Sequence, residues 1–220
     1  MAILLGDKFP DFEADTTEGR IHFYDWLGSS WGIIFSHPAD YTPVCTTELG
    51  RAAKMSKEFE KRNVKMIALS VNSVEDHINW TKDIKFYNKS MPEKLPFPII
   101  ADERRNLAVK FGMLDPDSKD KAGLPMTVRA VFIIGPDKRL KLSILYPATT
   151  GRNFDEMLRV VHSLQLTVTK KVATPVDWKL GDQCMVLPHI PEEQATKMFP
   201  KGVSTMKLPS GKNYMRFTYI

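Results

Sequence analysis

The chain is poor in cysteine, with two thiols, Cys45 and Cys184, in 220 residues. That excludes a disulfide framework and makes a reducing compartment, the cytoplasm, the expected location. Long apolar runs are lacking too. "AVFII" (Ala130 to Ile134) falls far short of the roughly 20 residues that a bilayer crossing needs. "MAILLGDKFP" has no basic segment ahead of its apolar run and makes a poor secretory signal. The net charge is +5, but its basic residues come as pairs such as Lys61-Arg62, Arg104-Arg105 and Lys170-Lys171. No basic stripe interleaves with aromatics, so nucleic-acid binding is not expected. The five histidines show no ligand spacing; no metal, haem or other cofactor is expected. Internal repeats and low-complexity tracts are absent.

What is present is a globular composition, 43% hydrophobic and 26% charged, enough for a large core. Trp31 to Ser36 and Val64 to Val71 read as buried strands. Thr47 to Lys61 reads as a helix with Leu49, Ala52, Ala53, Met55 and Phe59 on one broad face. Ser73 caps a second helix to Tyr87, with Asp76 three residues on. Phe97 to Asp102 and Arg104 to Phe111 form a small strand and helix. Val128 to Gly135 and Leu140 to Tyr146 make a hairpin, and Asn153 to Leu166 is a further helix. This order predicts an α/β, thioredoxin-like fold: a mixed central sheet flanked by helices. Composition changes after Val168 to short segments rich in Pro and Gly. The expected division is residues 1–167 as the main domain and 168–220 as a small α+β appendage. The appendage is expected to pack on the core or on a second subunit.

"SHPADYTPVCTTELGRAAK" (Ser36 to Lys54) places Cys45 behind a Thr-Pro step. Thr42 suits an N-cap and Pro43 the first helical position, so Cys45 falls in the first turn. Free N–H groups and the positive dipole end favour an anion there, and hence a thiolate. The preceding strand delivers this loop to the carboxyl end of the sheet, where α/β proteins place ligands. Full ionisation raises the thiolate population of a free cysteine about 30-fold, or about 2 kcal/mol. Fast attack on an O–O bond needs more, supplied by donors fixed around the departing oxygen. The Thr42 hydroxyl and the Val44 and Cys45 N–H groups are candidates, and Pro38 could keep water out. Arg129 interrupts the apolar "VRAVFII". It either lines a cavity, offering planar paired donors, or faces solvent on an edge strand. Glu48 either orients Arg129 or is an ordinary surface acid. His37, taken alone, is a loop histidine.

"PADYTPVC" (Pro38 to Cys45) resembles the P-x-x-x-T-x-x-C signature of peroxiredoxins, and Arg129 falls where that family has its active-site arginine. "KLPFPIIAD", "GPDKRLKLSILYPATTGRNFDE" and "VATPVDW" extend the resemblance to the one-cysteine branch of the AhpC/TSA peroxiredoxins, over nearly the whole chain. The resemblance implies a thioredoxin fold and a homodimer. It implies that Cys45 is the peroxidatic cysteine, oxidised to sulfenic acid by hydrogen peroxide or organic hydroperoxides. Thr42 and Arg129 then act with it, Pro38, His37 and Val44 shape the substrate pocket, and Glu48 supports the arginine. Thr174 stands where two-cysteine relatives carry a resolving cysteine, which implies an outside thiol reductant, glutathione or a thioredoxin-like donor. Cys184, in a short strand pattern, reads as a buried inert thiol.

"GSSWG" (Gly28 to Gly32) fits G-x-S-x-G but precedes a strand instead of following one. The branch is credited with a phospholipase A2 activity through this serine, an aspartate and a histidine. Ser30 and Asp137 match, but Tyr24 stands at the histidine's place with His22 nearby. Ser30 then lacks a base, and lipase activity is not expected. A redox-silent holdase on the same fold is the remaining alternative; it predicts no sulfenic acid after peroxide.

Overall fold

The computed structural model describes residues 3–89 and 94–220. The chain divides into two compact units, Met1–Phe154 and Asp155–Ile220, a boundary earlier than the composition shift at Val168.

The first unit begins with a hairpin, Glu13–Thr16 (β1) and Gly19–His22 (β2), and a short helix, Phe23–Leu27 (α1). Trp31–Ser36 (β3), buried at every position, leads into Pro43–Glu60 (α2). Val64–Ser70 (β4), Val74–Tyr87 (α3), Ile99–Ala101 (β5) and Asn106–Lys110 (α4) follow. A small hairpin, Leu114–Lys119 (β6) with Pro125–Thr127 (β7), precedes Arg129–Ile134 (β8) and Leu140–Tyr146 (β9). The seven-stranded sheet has the order β2-β1-β5-β4-β3-β8-β9. Strands β3, β4 and β5 are parallel, as their helical crossovers require, while β8 runs antiparallel to β3 and β9. This mixed sheet bears out the thioredoxin-like architecture read from the sequence.

The local signals hold at several ends. Ser73 and Asp76 form a reciprocal capping box at the start of α3. Leu49, Ala52, Ala53, Met55 and Phe59 are all buried along α2. One core cluster gathers Phe9, Phe12, Phe23, Phe111 and Phe132. Phe12 stacks on Phe23 at 4.7 Å, and Phe9 meets Phe111 at 4.9 Å. Each buried phenyl contributes about 1.5–3 kcal/mol, which fixes the sheet that carries the site.

The second unit holds most of helix Phe154–Lys170 (α5) and a four-stranded antiparallel sheet with Glu192–Met198 (α6) beside it in sequence. The strands are Val172–Ala173 (β10), Cys184–Val186 (β11), Ser204–Thr205 (β12) and Arg216–Thr218 (β13), in the order β10-β11-β13-β12. Its core joins Val172, Trp178, Cys184, Val186, Ile190, Ala195 and Phe199.

Candidate active site

Strand β3 ends at Ser36, whose hydroxyl donates to the Val128 carbonyl at 2.6 Å and accepts from the Ala130 N–H at 3.0 Å. These two bonds tie the end of β3 to the start of β8. Because β8 is antiparallel to β3, with Phe35 opposite Val131, its first residue, Arg129, lies level with the loop that follows β3. Thr127 extends the tie by donating to the His37 carbonyl at 2.6 Å. The loop turns through Tyr41, a left-handed non-glycine residue (φ 56°), and enters α2 with Pro43 at N1. Cys45 therefore sits in the first turn, fully buried.

Arg129 is 2% exposed, so it lines the interior and not an edge. Its Nη1 donates to Cys45 Sγ at 3.3 Å and to Glu48 Oε2 at 2.7 Å. Its Nε and Nη2 both point at the Ala148 carbonyl, at 3.0 and 2.5 Å. Glu48, one turn beyond the cysteine, is buried and accepts from a second guanidinium that sequence reasoning missed. Arg152 reaches it through Nε at 3.0 Å, Nη2 at 2.8 Å and its backbone N–H at 2.6 Å. Arg152 also donates to the Ala130 carbonyl at 2.8 Å and lies over the ring of Phe35 at 5.6 Å. Burial alone would raise the Glu48 carboxyl, but the hydrogen bonds and charge of Arg152, aided by Arg129, hold it below its ordinary value. Two buried guanidinium charges against one carboxylate leave a net positive charge beside the sulfur. That surplus is complementary to an anion on sulfur or on an oxygen it displaces.

Thr42 is the N-cap residue by position, but its hydroxyl does not cap the helix; it donates to the Ala39 carbonyl at 2.9 Å. The oxygen remains an acceptor, and donation to a substrate requires the hydroxyl to rotate. Pro38 and His37 are buried, and Val44 is partly exposed. A Cβ placed on Gly151 would meet Val44 Cγ1 at 3.4 Å, so the loop before α5 borders the helix start.

His37 and His77, far apart in sequence, converge on Asp40. His37 Nε2 lies 2.7 Å from Asp40 Oδ1, and His77 Nδ1 lies 2.6 Å from Oδ2, all fully buried. Donor atoms of the three residues fall within 4.8 Å of one another. No ligand spacing revealed this, because His77 comes from α3 while His37 and Asp40 lie in the loop after β3. Burial lowers the His37 pKa, against the pull of Asp40. Burial also opposes the Asp40 charge, but hydrogen bonds from both imidazoles outweigh it and keep the carboxyl below its ordinary value.

The G-x-S-x-G residues are bonded elsewhere. Ser30 donates to Asn63 Oδ1 at 2.7 Å, Tyr24 OH to the Phe9 carbonyl at 2.5 Å, and Asp137 pairs with Lys141. His22 faces Asp11 and Asp25. Thr174 shares a hydrogen bond with Ser163 at 2.6 Å. Cys184 is buried in β11, and burial raises its thiol pKa.

Residues 5–143 match the AhpC/TSA family, and residues 163–202 match the C-terminal domain of 1-Cys peroxiredoxin. The chain is 71% identical to peroxiredoxin-6 of Gallus gallus and 70% identical to peroxiredoxin-6 of Homo sapiens, each alignment covering 98% of this chain and 97% of the relative. Among solved structures, a cysteine-to-serine mutant of peroxiredoxin 6 of Arenicola marina superimposes with a TM-score of 0.96 at 58% identity, covering 99% of this chain and 98% of the other. A yeast mitochondrial 1-Cys peroxiredoxin, described for thiol resolution through glutathione and thioredoxin systems, gives 0.88 at 44% identity, covering 99% and 100%. The chain belongs to the AhpC/TSA family of peroxiredoxins. It is a thiol peroxidase of the one-cysteine kind.

Proposed function

We propose that Cys45 is the peroxidatic nucleophile and that Thr42 and Arg129 hold the peroxide and the charge that develops on it. Sulfur attacks one peroxide oxygen, the O–O bond breaks, and the other oxygen departs as an anion that must be stabilised and protonated. Arg129 is placed for this by its contact with Cys45 Sγ at 3.3 Å, the observation that carries the reading. Glu48 and Arg152 fix its orientation. Val44 and Cys45 offer backbone N–H groups at the helix mouth, while Pro38 and His37 wall the pocket. Hydrogen peroxide and organic hydroperoxides are the substrates in this reading.

The sulfenic acid left on Cys45 is then reduced by an outside thiol, glutathione or a thioredoxin-like donor, since Cys184 is buried in the second unit and Thr174 carries no sulfur. A homodimer with contacts from the C-terminal segment, residues 168–220, and a cytoplasmic location complete the proposal; among the described residues no helix is long and apolar enough to cross a membrane.

The test compares peroxide consumption, with an excess of small thiol, in the parent protein, Cys45→Ser and Cys184→Ser. Loss in Cys45→Ser alone is the expected result. Loss in Cys184→Ser, or a Cys45–Cys184 disulfide after one equivalent of peroxide, would overturn the one-cysteine scheme.

A further inference from the structure

The twelve glycines of the chain sort by what a side chain would meet at each. Eight have a positive φ, a backbone that L side chains rarely adopt. At three more, Gly32, Gly50 and Gly135, an added Cβ would fall 2.8, 1.6 and 2.5 Å from a neighbouring side chain. Gly151 has neither reason. Its φ lies outside the left-handed region, and a Cβ there would meet only Val44 Cγ1, at 3.4 Å, an ordinary van der Waals contact. Backbone conformation and packing therefore both admit alanine at 151. What the missing side chain leaves is open space beside the residue that precedes Cys45.

That space lies on the way in to the sulfur. Cys45 is fully buried, and Pro38, Glu48, Arg129 and Arg152 are buried with it. The nearby residues that reach solvent are Thr42, Pro43 and Val44 at the start of α2 and, facing Val44, Gly151. The segment that carries Gly151 is held on both sides. Arg129 Nε and Nη2 fix the Ala148 carbonyl, and the Arg152 N–H is bonded to Glu48 Oε1. Between them the Thr150 N–H closes a turn onto the Pro147 carbonyl at 3.1 Å. A larger side chain at 151 would not swing aside with its backbone; it would extend over Val44, across the mouth.

We propose that Gly151 is a specificity-determining residue of the peroxidase: the gap between Gly151 and Val44 takes the organic group of a hydroperoxide while its O–O bond reaches Cys45. This rests on the reading of Cys45 given above. The Cys45 thiolate bonds to the terminal, hydrogen-bearing oxygen, and the O–O bond breaks with its electron pair passing to the other oxygen. Sulfur is oxidised to a sulfenic acid, and the alkoxide leaves, to be protonated by water. The departing oxygen lies opposite the sulfur, so the group it carries trails outward. Val44 and the bare Gly151 give that group an apolar passage. Hydrogen peroxide carries no such group and does not need the gap. A change of one methylene in an apolar pocket alters discrimination between substrates about 10–200-fold.

The test measures second-order rates of Cys45 oxidation in the reduced full chain, without added thiol, by quench-flow and alkylation mass spectrometry. Hydrogen peroxide and cumene hydroperoxide are compared. In Gly151→Leu the ratio of the cumene hydroperoxide rate to the hydrogen peroxide rate should fall at least about tenfold. Gly151→Ala, whose Cβ makes only an ordinary contact, should lower the ratio much less. Taking the ratio within each variant cancels any change in the reactivity of Cys45 itself. An unchanged ratio in Gly151→Leu, whether both rates hold or both fall, would overturn the proposal. So would a loss confined to reduction of the sulfenic acid by glutathione, which would assign the gap to the thiol. A parent that reacts with cumene hydroperoxide less than about one-hundredth as fast as with hydrogen peroxide would overturn it as well, and that measurement holds even where a variant fails to fold. Absence of sulfenic acid on Cys45 in the parent with either peroxide would instead sink the role of Cys45, whatever Gly151 shows.

Discussion

Replacing Glu48 by Gln should be costly for its size. The carboxylate accepts four hydrogen bonds, two on each oxygen, from Arg129 Nη1 and from Arg152 N, Nε and Nη2. Glutamine keeps one accepting oxygen and turns an NH₂ toward donors at the other, so two charge-assisted bonds are lost. At about 1.5–3 kcal/mol each, the loss is about 3–6 kcal/mol, in line with the roughly 3–5 kcal/mol for breaking a buried ion pair. For a chain of this length each kcal/mol moves the melting temperature about 2–4 °C, so thermal unfolding at pH 7 should drop by roughly 6–24 °C. The sign of the pH dependence follows from the lowered carboxyl pKa. Its stabilisation is complete above the unfolded value of about 4.3 and is lost as pH falls through the folded value. The gap between parent and variant should therefore be full at neutral pH and narrow in acid. The peroxide rate should fall as well, because Arg129 loses an anchor. A melting temperature within 2 °C of the parent, or a gap that widens on acidification, would refute the buried-network account.

Two further outcomes follow from packing and burial. Gly50→Ala would place a Cβ 1.6 Å from Asn88 Nδ2, a buried side chain bonded to the Ile84 carbonyl. The clash should outweigh the gain in helix propensity of about 1 kcal/mol and destabilise by about 1–3 kcal/mol in urea unfolding; an increase in stability would show that α2 and α3 can part freely. Cys184, buried with a raised thiol pKa, should react with iodoacetamide at pH 8 at least about tenfold more slowly folded than in urea, as read by mass spectrometry. Equal rates would mean that this thiol is open to solvent.

The elements legible in the sequence were those with short-range causes. β3 and β4 are continuous apolar runs, the Ser73–Asp76 box announces α3, and the Thr-Pro step announces the start of α2. The β1–β2 hairpin was not legible because its strands are polar and mostly exposed. The β6–β7 hairpin was missed for a similar reason, since "LDPDSK" has little strand propensity. Arg152 lay in a stretch quoted only for its family likeness, and a polar loop gives no sign that one of its cations is buried. Asp40 and His77 carried no signal either, since an acid in a loop and a histidine on a helix are ordinary until a sheet brings them together.

The sequence by itself determined that a cysteine would stand in the first turn of a helix, after a buried strand, because capping and apolar periodicity act between near neighbours. Only the tertiary structure decided which charges surround it. Arg129 is 84 positions from Cys45, and Arg152 is 104 from Glu48. Contacts at about 3 Å over such separations depend on the antiparallel register of β8 against β3, which sets Arg129, and on the path of the chain after β9, which sets Arg152, and no local pattern specifies either.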